Sequence, residues 1–114
     1  MKKRIAFLLF PDFQLLDAAG PISAFEIADR YVPGSYELKL VARAAGPVPS
    51  TSGASLNASG LPRAASIDTL LIAGGEGSRP ACQDARLLKF VARCGSVARR
   101  VGSSSSVSEG FKVS

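Results

Sequence analysis

Residues 5–10 of the chain, Ile-Ala-Phe-Leu-Leu-Phe, form a continuous apolar run that Pro11-Asp12 ends. Six residues is strand length, and apolarity without alternation means burial on both faces, as in a central parallel strand. The period then changes. Leu15, Leu16, Ala19, Ile22, Phe25, Ile27 and Ala28 recur at helical spacing, with Asp17, Glu26, Asp29 and Arg30 between them. Gly20-Pro21 interrupts this pattern, and proline suits the first helical position, where its missing N–H has no partner to lose. The spacing predicts a short turn from Leu15, a longer helix from about Pro21, and a stop at Pro33-Gly34. Residues 36–42 alternate at their start and predict a second strand. Residues 46–60 are rich in Ser, Thr, Gly and Pro, but Val48, Leu56 and Ala58 are spaced as in a small hairpin.

Residues 67–73 predict a third parallel strand, with Gly74-Gly75-Glu76-Gly77 at its carboxyl end. Leu87, Leu88, Val91 and Ala92 mark a helix over about residues 84–94, with Arg86, Lys89 and Arg93 on its wet side and Gly95 as its cap. Residues 99–102 open a fourth strand. Strands alternating with helices imply an α/β fold, a parallel sheet flanked by helices. Ligands of such folds bind at the carboxyl ends of the strands, which selects residues 11–17, residues 74–77 and the segment after Gly102. That last segment, GSSSSVSEGFKVS, holds six serines in thirteen residues and no period. The expectation is a partial domain over residues 1–103, incomplete at the C-terminus, and a Ser-rich disordered tail over residues 104–114.

Charge and composition narrow the chemistry. The net charge is +5, from 14 basic and 9 acidic side chains, but the basic residues are scattered and not interleaved with aromatics. No zinc-finger spacing or helix-turn-helix is present, so no direct nucleic-acid binding is expected. The chain has no histidine. That excludes a Ser–His or Cys–His pair and any histidine metal site within these residues, and neither a metal nor a cofactor is expected. No Gly-Lys-Ser/Thr follows the glycine turn, which argues against a phosphate loop. Cys82 and Cys94 make no disulfide framework and read as packing residues. The apolar run after Lys2-Lys3-Arg4 is too short for a signal peptide, and no stretch approaches a membrane span. The cytoplasm is the expected location, without a membrane partner.

The segments IAFLLFPDFQLLDAAGPISAF, GPVPSTSGASLNA, IDTLLIAGGEG and RRVGS, in this order and register, resemble the ThiJ/PfpI family, of flavodoxin-like, class I glutamine amidotransferase-like fold. The resemblance is greatest to the amidase-like N-terminal domain of AraC-type transcriptional regulators, and isocyanide hydratases are similar too. The first kinship implies a sensing domain that takes a small-molecule effector, commonly as a homodimer, here without its DNA-binding part. The alternative is a fragment of a cysteine-dependent hydratase or hydrolase. By resemblance, Asp17 is the acidic partner beside the nucleophile, and Gly74 and Gly75 supply backbone N–H groups to an oxyanion or ligand. Ser105 stands where the family places its cysteine, and Val107 where it places a glycine. A serine hydroxyl without a base stays protonated near neutral pH, so catalytic inactivity is expected.

Overall fold

Apolar side chains at every position of the first run leave no face for water, and the run accordingly becomes the middle of the sheet. The computed structural model describes residues 3–34, 36–75, 77–97 and 100–103. Along them lie β1 (Lys3–Leu8), α1 (Leu15–Tyr31), β2 (Tyr36–Val41), β3 (Gly46–Pro49), β4 (Ser55–Ala58), a 3-10 turn (Ala64–Ser66), β5 (Thr69–Ile72), α2 (Ser78–Cys82), α3 (Ala85–Val97) and β6 (Arg100–Ser103). The four-stranded sheet has the order β2-β1-β5-β6, with every pair parallel. Ile5 sits opposite Leu38 on one side and Thr69 on the other. Phe7, Leu8, Leu9 and Phe10 are almost wholly buried. Each large side chain so buried contributes about 1.5–3 kcal/mol. The partly exposed β2 is an edge strand, which explains its alternation. The predicted hairpin is β3 paired antiparallel with β4, Val48 opposite Leu56.

The helices depart from the sequence expectation in three places. First, α1 does not break at Gly20-Pro21 but runs unbroken from Leu15 through Pro21. Pro21 has no N–H to offer the Asp17 carbonyl four residues back, a loss of about 3 kcal/mol in a helix interior. The first turn is held instead by tertiary packing, since Ala18 is fully buried and Leu15 and Ile22 pack on the core. The expected stop does hold: Gly34 takes φ 82°, and its N–H donates to Asp29 Oδ1 at 2.9 Å. Second, the short α2 interposes between the glycine turn and the next helix. Third, α3 passes through Gly95 to Val97 rather than ending there. Its start is well defined, because Asp84 Oδ1 accepts the N–H groups of Arg86 (2.9 Å) and Leu87 (3.3 Å) as an N-cap. The tail over residues 104–114 lies outside the described residues.

Candidate functional site

The strand order places a topological switch between β1 and β5. From β1 the chain passes through α1 to β2 on one side, while β5 leads on to β6 on the other. Loops that diverge from adjacent parallel strands open a crevice at their carboxyl ends, where such folds bind ligands. Here the two diverging loops are residues 9–14 and residues 73–77.

They are tied together through their backbones. The Gln14 N–H donates to the Gly74 carbonyl at 2.8 Å, and the Gly77 N–H to the Asp12 carbonyl at 3.1 Å. Gly75 has φ 128°, and a Cβ there would stand 2.6 Å from the Gln14 nitrogen. Only glycine provides both that backbone conformation and that clearance. Asp12 is itself in the left-handed region, φ 66°, which aspartate tolerates better than most residues. The tip of the β3–β4 hairpin closes on the same loop: the Asp12 N–H donates to the Pro49 carbonyl (2.9 Å), and the Thr51 N–H to the Phe13 carbonyl (3.1 Å). Phe13 is fully buried beneath these contacts.

Asp17 is half-buried in the first turn of α1, where the helix dipole favours a carboxylate. Its N–H donates to the Gln14 carbonyl at 3.1 Å, so Gln14 links Asp17 to Gly74 through two hydrogen bonds. The Asp17 carboxylate bonds to no described residue. Gly74 and Gly75 are buried, and among the described residues their N–H groups have no acceptor. Two consecutive uncommitted donors at a strand end can hold a carbonyl or oxyanion oxygen. In β6, Ser103 pairs with Ile72, two residues before Gly74, which brings the carboxyl end of β6 to this same edge. Ser105 lies outside the described residues.

The thiols are not poised for attack. Burial pushes the Cys94 thiol up to about 11, and burial also raises that of Cys82. The unfolded chain ionises Cys94 near pH 8.5 and the folded chain only near 11, so stability should fall with rising pH across that window. Chemical denaturation from pH 7 to 10 should show this loss, and Cys94→Ala should flatten it.

One arrangement escaped sequence reasoning. Arg43, just beyond β2, donates through Nε to both Asp84 oxygens, at 3.1 and 3.3 Å across 41 residues of chain. No local period joins two such positions. Partial burial works to raise the Asp84 carboxyl, but the Leu87 and Arg86 N–H groups and the Arg43 guanidinium outweigh it and hold the carboxyl below its ordinary value. Among the described residues no group of potential metal ligands is assembled, and no helix is long and apolar enough to cross a membrane.

No family model and no curated protein matches the chain. Solved structures do. A ThiJ/PfpI family protein from Pseudomonas syringae is similar with a TM-score of 0.78 at 27% identity, over 90% of this chain and 42% of that one. A DJ-1 superfamily protein from Agrobacterium tumefaciens is similar at 0.67 and 26% identity, over 89% and 52%. An AraC family transcriptional regulator from Pseudomonas putida shares the fold at 0.68 and 23% identity, over 88% and 55%. The chain therefore spans between 42% and 55% of the length of these three structures.

Proposed function

From a chain that is a ThiJ/PfpI-like α/β domain, we propose that it acts as the sensing domain of an AraC-type transcriptional regulator, binding a small-molecule effector rather than transforming it. The observation that carries this reading is the pair of uncommitted N–H donors at Gly74 and Gly75, linked through Gln14 to the turn that bears Asp17. Such a site can grip an oxygen of a ligand. Turnover would need in addition an activated nucleophile, and the chain offers no histidine and only thiols whose pKa values burial raises. The Pseudomonas putida regulator, which shares the fold, supports the assignment to a regulator.

The test is a titration of the isotope-labelled chain with a metabolite library, read at the Gly74 and Gly75 amides, beside an assay for isocyanide hydration. The expected result is amide shifts that Asp17→Asn alters, with no hydration. Hydration that Asp17→Asn abolishes would establish the hydratase reading in its place.

The homodimer belongs to the same proposal. Leu16, Gly20, Ser23, Ile27 and Tyr31 follow one another at three- and four-residue steps along α1, and all are exposed, Tyr31 at 84% and Leu16 at 73%. A large-small-large stripe of this kind suits close packing against its own copy, with Gly20 facing open space. Ala24→Arg, on the same exposed face, should weaken self-association about tenfold or more by burying an unpaired charge. Sedimentation velocity across a concentration series measures it.

A further inference from the structure

A cavity opens on the far side of the two tied loops, lined by residues 9–12 and Gly77 of those loops but by none of the groups argued above to hold a ligand oxygen. It is an open cleft of about 440 Å³ between the carboxyl ends of β1 and β2, the β3–β4 hairpin and the start of α2 and α3, and neither Asp17, Gly74 nor Gly75 lines it. Its size is that of a small-ligand site. We propose that this cavity binds a small, uncharged, largely apolar molecule through one carbonyl-type oxygen, held by the terminal amino groups of Arg43.

The walls define the ligand. Four of the seven prolines line the cavity, Pro11, Pro47, Pro49 and Pro80, and none of them has an N–H to give. The lining N–H groups of Leu9, Asp12, Ala42, Gly77 and Ala81 donate to backbone carbonyls, and that of Leu87 to Asp84. Outside the exposed bend at residues 43–45 the wall is therefore poor in donors and stiff, which lowers the ordering cost of binding. Against this, Arg43 uses only Nε on Asp84; among the described residues its two terminal amino groups have no partner. They are the charged donors of the cavity and the strongest it offers to a ligand acceptor. Charge decides which acceptor. Asp84 already balances Arg43, and Asp12 adds a second carboxylate to the lining. A ligand carboxylate would bring a third negative charge against one positive one, whereas a carbonyl accepts the same hydrogen bonds without it. The remaining contacts, to Phe10, Val48 and Ala81 among others, are apolar. The cavity shares Asp12 and Gly77 with the loops of the proposed sensing site, but Asp17, Gly74 and Gly75, which carry that proposal, lie outside it.

Benzamide, with benzoate as its charged counterpart, is the probe, titrated to millimolar concentration into the full isotope-labelled chain. Benzamide should shift the amides of Arg43, Ala44, Val48 and Ala81 with an affinity at least about tenfold above that of benzoate. Ala44→Phe, in an exposed bend at the cavity wall, should abolish those shifts without unfolding the chain. Asp84→Asn keeps a capping side chain but releases the charge of Arg43, and should reverse the preference in favour of benzoate. Benzamide shifts confined to Gly74 and Gly75, absence of binding, or a preference unchanged in Asp84→Asn would each overturn the proposal. The first of these would leave the sensing site standing.

Discussion

Gly75→Ala should lose about 2–6 kcal/mol of stability, a large share of what holds the domain folded. Two costs add. At φ 128° a side chain is strained by about 1–3 kcal/mol. The new methyl would also stand 2.6 Å from the Gln14 nitrogen and 3.0 Å from the Asp12 carbonyl oxygen, backbone atoms that cannot rotate away. Forcing such a group into a packed site costs about 1–3 kcal/mol more. A domain of this size has only about 5–15 kcal/mol in total. Gly77→Ala should be as severe for a different reason: its φ is ordinary, −72°, but its Cβ would overlap the Pro11 carbonyl. Urea denaturation followed by circular dichroism measures both. A midpoint within error of the parent for either variant would show that the two loops are not locked together as described.

Phe13→Ala should cost about 3–5 kcal/mol, the range for deleting a wholly buried aromatic ring. Its second effect separates it from an ordinary core deletion. Phe13 sits between the loop that leads to Asp17 and the hairpin tip, where it bridges Ser50 and its carbonyl accepts the Thr51 N–H. Amide exchange should therefore speed up first at residues 12–17 and 49–54, while β5 retains its protection. Uniform acceleration over the whole sheet would mean that Phe13 supports the core and not the site. Leu70→Ala, which removes a fully buried residue of β5, is the comparison that discloses the difference.

The sheet was legible in the sequence because parallel strands buried on both faces advertise themselves. Ile5 to Phe10 and Leu70 to Ala73 are apolar runs bounded by Pro-Asp and Gly-Gly, and the edge strand β2 alternates as an edge strand should. The glycine turn and the acidic residue of the first helical turn followed from the same punctuation and from family resemblance. The unbroken α1 was hidden because the local preference of Pro21 is a starting position, while Ala18 and Leu15 pull the preceding turn onto the core from afar. The Arg43–Asp84 pair and the cavity beside it were hidden for a related reason. They are assembled from four chain segments, at residues 9–12, 42–49, 77–81 and 84–87, and no local pattern shows that these meet.

The position of β1 at the centre of the sheet also sets an order of events at synthesis. β1 is made first, yet its second partner, β5, is paired about sixty residues later in the chain. At roughly 5–20 residues per second, an emerging chain would wait about 3–13 seconds between the exit of Ile5 and that of Thr69. For that interval the most apolar segment of the protein has at most one neighbour in place, and it is a strand-length run without charge from Ile5 to Phe10. Non-local pairing of this sort makes folding slow and gives unpaired edges time to find other chains. The ions at its entrance, Lys2, Lys3 and Arg4, and the Pro11-Asp12 pair at its exit stand where residues that discourage such association belong. Replacing Lys3 and Arg4 together by serine should thus raise the insoluble fraction on expression while leaving the melting temperature of the soluble fraction nearly unchanged.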